Sequence, residues 1–429
     1  MSETWLSPVS AHPLAQLHDP ATIRARCRAV TRSVEAGVSP SFSIDRSKLP
    51  AVADRVAALT LRRFPDLRIP YHSRWRHFEA GGVDRKAELD QALAGRSVAE
   101  QARSRFDLTV VSVLLDAGAG PQWSYTESAT GQKFQRSEGL GVASFRAFMA
   151  GTFSSSPQDP LRADAAALQG IDAPALRTLF QSGSDNPLVG LDGRAALLAR
   201  LGQALLREAG RSGLEARPGL FYDRLTKHGT QHEVAATAVL GELLRSLSPI
   251  WPSGSTAQGL AAGDVWPHRW AGAEVGAPTA GASALGTDRT TDGWVPFHKL
   301  SQWLSYSLLE PLQWAGVTVT GLDALTGLPE YRNGGLLLDA GVIVPRDPRL
   351  LSRSWKPQDE FVIEWRALTV TLLDELAALV RQRLGKTADE LPLACILEGG
   401  TWAAGREIAR ELRADGAPPL RIESDGTIF

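Results

Sequence analysis

The chain has little of what would tie it to several common classes. Only two of its 429 residues are cysteine, Cys27 and Cys395, and neither stands in a Cys-x-x-Cys pair. That argues against a disulfide framework and a cysteine-based zinc site, and it fits a reducing compartment. Neither sign of charge is in excess: 46 Lys and Arg face 47 Asp and Glu, for a net charge of −1. Nucleic-acid binders usually show a basic surplus, because phosphate contacts supply much of their affinity, so no nucleic-acid partner is expected. No apolar run approaches the roughly 20 residues that a membrane helix needs. The opening MSETWLSPVSAHPLAQ has no basic segment followed by an apolar one, so no signal peptide is expected. A soluble, cytoplasmic protein without a membrane partner is the expectation. A Walker-type phosphate loop, a dinucleotide fingerprint and a nucleophile elbow are also missing.

What is there is core-forming material, with 43% hydrophobic and 22% charged residues. Helical spacing of apolar residues runs from residue 20 to about 65, with Gly37 as a stop between two segments. Further helices are expected over 131–151 after a turn, twice within 173–210, over 232–247, 297–316 and 360–385, and near 401–414. The run DLTVVSVLL from residue 107 reads as a strand or a buried helix. The fold class is therefore mainly α with a few short strands. The chain reads as one large unit, or as two lobes over about 20–250 and 294–429. Between them, residues 251–293 are rich in Gly, Ala, Ser, Thr and Pro yet carry Trp251, Trp266 and Trp270. A long loop inside a compact domain is functional or disordered, and aromatics, rare in disordered linkers, favour an ordered loop that covers something.

One short stretch concentrates unusual residues: GLPEYRNGGLLLDAGVI, residues 327–343. Pro329 cannot sit inside a helix and marks the start of one. Glu330 then falls in the first turn, where free backbone N–H groups and the helix dipole favour a carboxylate. On spacing alone this is a structural carboxylate. His228, His232 and Glu233 suggest a metal, but Ala236 stands where HExxH needs its second histidine, so no metal or cofactor is expected. Arg76, His77 and Arg85 flank a Gly-Gly turn that can approach a phosphate or carboxylate; a solvated surface turn is the alternative. Arg136 and Glu138 present themselves to a ligand, or Ser137 simply caps the next helix. Glu364 and Arg366 inside an apolar helix read as a structural ion pair. Asp264, Trp266 and His268 lie together in GDVWPHRW, as a lid over a polar ligand or as plain packing.

The order of FSID (42–45), WSYTES followed by GQKFQRSEG, VPFHKLSQWL, LTGLPEYRNGGLLLDAG and EWRA resembles the uracil catabolism protein 4 family, over almost the whole chain. That family is in turn similar, more distantly, to the queuosine salvage nucleoside hydrolases, whose layout resembles helix-hairpin-helix DNA glycosylases. The counterparts are Phe42 to Asp45, Trp123 and Ser124, Lys133 to Gly139, Phe297 to Lys299, Pro329 to Arg332, and Glu364 to Arg366. The resemblance places Glu330 where those hydrolases carry an essential aspartate at the ribosyl carbon, so the carboxylate here is one methylene longer. The 251–293 loop has little counterpart in the hydrolases. The two-glycine hairpin and the basic surface of the DNA glycosylases are not evident either.

The resemblance implies an N-ribosyl hydrolase, acting without cofactor on a small nucleotide-derived substrate. Expected is hydrolysis of ribosylurea, as the 5′-phosphate, to urea and ribose 5-phosphate. Glu330 would stabilise the oxocarbenium-like transition state or activate water. Asp323, His268 or His298 would protonate the departing urea. Trp123, Trp266 and Tyr331 would wall the pocket, with Arg136, Glu138, His298, Lys299 and Arg332 as further binding residues. Phosphate would go to Lys299 or to Arg76, His77 and Arg85. Association with other enzymes of the uracil pathway is a further expectation. The alternatives are a metal-dependent amidohydrolase on a ureido intermediate and a non-catalytic pyrimidine-nucleotide binder or scaffold.

Overall fold

A computed structural model of the chain describes residues 14–251, 255–257, 260–272, 291 and 293–423. Helices dominate, and the strands among the described residues are two or three residues long and paired into two-stranded ribbons. The chain is mainly α, as its patterning predicts. It divides into two compact units, each built from separated segments.

The first unit takes residues 1–67, 252–298 and 326–421. Its centre is the helix Glu360–Leu384, with Gly385 in the left-handed conformation closing it. From Phe361 to Leu373 every residue of that helix is buried, so its first half is packed on all sides. Pro20–Glu35 and Leu49–Arg63 pack on it, and Tyr331–Asp339 packs between it and Trp402–Leu412. Thr31 Oγ1 donates to Thr371 Oγ1 at 2.9 Å across the first of these contacts. Strand Phe42–Ile44 pairs antiparallel with Ile343–Pro345, and Val265–Pro267 pairs with Trp294–Pro296. The second ribbon closes the later part of the Gly-rich loop, from residue 268 to 293. Most of its interior, residues 273–290, lies outside the described residues, and with it the expectation of an ordered cover.

The second unit takes residues 68–251, 299–325 and 422–429. The run from residue 107 is helical here, within Val98–Leu114. Its β-branched residues suit either structure, and burial among Arg136–Met149, Leu220–Leu225 and Lys299–Trp314 decides for the helix. Asp107 on this helix accepts from Arg217 Nε and Nη2 at 2.9 and 2.6 Å and from Gly219 N at 2.7 Å, which fixes the following loop. Several boundaries differ from the sequence reading, two of them at residues singled out there. Residues 233–235 form a strand parallel to Thr318–Thr320, so the helix starts at Ala236 and not at 232. Arg136, not Ser137, begins the next helix, with Gln135 at the capping position and no side-chain cap.

Candidate active site

Glu330 is the N-cap of helix Tyr331–Asp339, one step before the first turn. Extended backbone at φ −125° turns its side chain back over the helix end, where it accepts from Asn333 N at 2.6 Å and Arg332 N at 2.8 Å. These are two of the orphan donors that every helix start leaves. The carboxylate is only 6% exposed, so the helix dipole and two N–H groups replace much of its lost hydration. Asn333 Nδ2 donates to Leu328 O at 3.2 Å and holds the preceding chain. Arg332 donates to Gly416 O at 3.1 Å, with its guanidinium 5.2 Å from the half-buried Tyr331 ring.

This helix is tightly seated. A Cβ on Gly334 would lie 2.3 Å from Trp365 Cζ2, and one on Gly405 would lie 2.2 Å from Arg332 O. Trp365 also donates from Nε1 to Gly334 O at 3.2 Å. The residues on either side of Trp365 are Glu364 and Arg366. Side chains two apart on a helix do not face each other, and these two find separate partners.

Arg366 is fully buried and grips Asp264 with Nη1 to Oδ1 at 2.8 Å and Nη2 to Oδ2 at 2.7 Å. Trp266 Nε1 adds a third bond to Oδ1 at 2.7 Å. The backbone carbonyl of Asp264 accepts from Phe297 N and His298 N at 2.9 and 3.2 Å, and Arg366 stacks on Phe297 with Cζ 4.1 Å from the ring centroid. Asp264 thus ties together the Val265–Pro267 ribbon, the segment before Lys299 and the central helix. Glu364, 1% exposed, accepts from Ser39 Oγ at 2.5 Å. His268 Nε2 lies 3.8 Å from Glu364 Oε2, too far for a hydrogen bond. Since His268 Nδ1 accepts from Trp270 N at 3.3 Å, a neutral ring carries its proton on Nε2, toward Glu364.

His298 has the opposite polarity. Its Nε2 faces Leu17 O at 2.9 Å; a carbonyl only accepts, so Nε2 holds the proton and Nδ1 is a bare acceptor. Nδ1 has no hydrogen-bond partner among the described residues. Burial pushes the His298 pKa down, which favours this neutral form. The residue also sits at φ +47°, a conformation that non-glycine residues adopt rarely and often at functional sites.

The remaining expected residues lie in the second unit. Trp123 is buried, donates to Phe180 O at 2.9 Å and packs against Gly139. Arg136 is exposed at φ +53°, and Glu138 stands half-buried in the first turn of its helix. Lys299 begins helix Lys299–Trp314, and Asp323 lies half-buried in the turn Leu322–Ala324. Arg76 pairs with Glu310 at 2.8 Å and Glu79 at 3.1 Å. His77 Nδ1 is 3.2 Å from Arg74 Nη1. Arg85 is fully buried, bound to Glu127 at 2.8 and 2.5 Å and to the carbonyls of Phe78 and Ala80. Arg85 thus has four protein contacts of its own and is not a solvated turn arginine. Among the described residues no three or more His, Cys, Asp or Glu side chains gather as a metal-binding group. None of the described helices is long and apolar enough to cross a membrane. Ser39 carried no signal in the sequence beyond preceding the FSID motif.

Residues 16–429 match a family described as a protein of unknown function, DUF1688. The chain belongs to that family. It is similar to Protein urg3 of Schizosaccharomyces pombe, at 39% identity over 98% of this chain and 100% of that protein. It is also similar to Uracil catabolism protein 4 of Lachancea kluyveri, at 36% identity over 97% of this chain and 99% of that one. The resemblance read from FSID, PEYR and EWRA therefore extends over nearly full length at a level that shows common descent.

Proposed function

We propose that this DUF1688 chain acts in uracil catabolism as an N-ribosyl hydrolase that splits the C1′–N bond of ribosylurea 5′-phosphate into urea and ribose 5-phosphate. The observation that carries this reading is the buried, doubly hydrogen-bonded carboxylate of Glu330. The name of the similar Lachancea kluyveri protein supports the pathway. As the C1′–N bond lengthens, positive charge grows on the sugar and negative charge on the departing nitrogen. A carboxylate fixed at a helix start by two N–H groups stabilises the first of these without reorganising. It also orients the water whose oxygen bonds to C1′.

Urea leaves as a neutral molecule only if its nitrogen gains a proton. The attacking water supplies it: as its oxygen bonds to C1′ it loses a proton, which the Glu330 carboxylate takes and passes to the urea nitrogen. His298 Nδ1, an acceptor, suits the role of holding a substrate hydroxyl or N–H. The test is to incubate the full chain with ribosylurea, with and without the 5′-phosphate, and to analyse products by mass spectrometry. Free urea and ribose phosphate are expected, with the Glu330→Gln protein at least about 100-fold slower, the scale of losing one transition-state contact. Ammonia in place of urea would point to an amidohydrolase, and no turnover to a binding protein; both would overturn the reading.

A further inference from the structure

The second unit contains a polar cluster that the hydrolase reading does not use. Arg74 is fully buried. Its Nε donates to Ser112 Oγ at 2.6 Å, and its Nη1 lies 3.2 Å from Asp116 Oδ2, Ser137 O and His77 Nδ1. An arginine and a carboxylate that meet fork to fork satisfy four atoms at once. Here they meet at one corner only. Arg74 Nη2 and Asp116 Oδ1 are both buried, and neither has a hydrogen-bond partner among the described residues. Trp303 completes the cluster: its ring centroid lies 5.7 Å from Arg74 Cζ and 5.7 Å from the His77 ring. Its Nε1 is a third buried polar atom without a partner among the described residues.

Such atoms are costly when left alone, each by the desolvation of its group. Two leftover donors and one leftover acceptor define what would satisfy them. An anion fits poorly, because Asp116 and Glu138 already offset the Arg74 charge and a further negative group would face both carboxylates. A neutral amide fits well: its carbonyl has two lone pairs for Arg74 Nη2 and Trp303 Nε1, and its N–H can donate to Asp116 Oδ1. We infer that the Arg74, Asp116 and Trp303 cluster is a binding site for a neutral amide or ureido group. A ureido group is also part of the substrate proposed above, but this inference is argued from the cluster's own donors and acceptors, and its test involves no turnover.

The test titrates the full chain with N-methylurea, acetamide and inorganic phosphate, followed by ligand-observed NMR. The expected result is saturable binding of N-methylurea and acetamide, and no phosphate binding that Trp303→Phe or Asp116→Asn changes. Trp303→Phe keeps an aromatic ring, smaller than the indole, removes one donor and weakens N-methylurea about tenfold, the worth of one buried hydrogen bond. Asp116→Asn, at a residue that reaches the surface slightly, gives an independent reading if Trp303→Phe melts early. Phosphate binding that Trp303→Phe or Asp116→Asn alters would make this an anion site and overturn the inference. Absence of binding by either amide, or equal N-methylurea affinity in wild type and both variants, would leave buried water as the occupant and overturn it as well.

Discussion

Arg366 and Asp264, 102 residues apart in the chain, meet through the two terminal guanidinium nitrogens and both carboxylate oxygens at 2.8 and 2.7 Å. Almost no solvent reaches either side chain. Such a pair contributes little relative to an apolar replacement, but a widowed partner is an uncompensated buried charge. Asp264→Asn should therefore lose about 3–5 kcal/mol in guanidinium unfolding. The double variant Asp264→Leu with Arg366→Met should recover most of that. A double variant as unstable as the single would show that the pair has a net structural value of its own.

Glu330→Gln keeps an acceptor at the helix start and removes the charge. Stability should fall by only about 1 kcal/mol, the usual value of a capping contact, while urea release falls far more. Thermal melting and product assays on one preparation separate the two effects. Equal small losses in both would reduce Glu330 to a cap.

Glu127 supplies an acid-sensitive contact. Burial pushes its pKa up, but hydrogen bonds from Arg85, Thr130 and Arg146 outweigh that and hold it down at about 2, against an ordinary 4.5. A folded-state pKa below the unfolded one means that the contribution is full above pH 4.5 and fades as pH falls from 4.5 toward 2. Unfolding midpoints measured from pH 6 to 3 should decline for the wild type and decline less for Glu127→Gln, which starts lower.

Gly334 and Gly335 are neighbours with different surroundings. Alanine at 334 would overlap Trp365 at 2.3 Å, whereas at 335 the nearest atom, Pro419 Cδ, is 3.1 Å away. Gly334→Ala should cost about 1–3 kcal/mol through overpacking, and it should slow turnover by shifting the Glu330 helix. Gly335→Ala should be milder in both. Unfolding curves and urea release for the two variants make the comparison.

Much of the helical frame was legible because apolar spacing and stop signals agree. Glu360–Leu384 ends at Gly385 as its pattern predicts, and Pro329 marks the start of the Glu330 helix. The strand at 233–235 was not legible, since its partner is Thr318–Thr320 and no local signal carries a pairing that distant. The Glu364 and Arg366 ion pair was misread for a geometric reason: two positions along a helix diverge, so each charge went elsewhere. Asp264 and His268 stood out as a group in GDVWPHRW, yet their ties to Arg366 and Glu364 depend on tertiary contact. Ser39, Arg74 and Trp303 are ordinary residues in sequence, distinguished only by burial and by which of their atoms are left over.

The scattered make-up of the first unit bears on how the chain is made. Arg24 binds Asp374 across 350 residues, and Arg55 binds Glu411 across 356. During synthesis, at roughly 5–20 residues per second, the first two long helices emerge well before the helix they pack against exists. Residues 68–251, the larger part of the second unit, are synthesised in that interval. The apolar faces of Pro20–Glu35 and Leu49–Arg63 therefore wait on the nascent chain for a partner that is made about 300 residues later, the kind of exposed surface that holding chaperones cover.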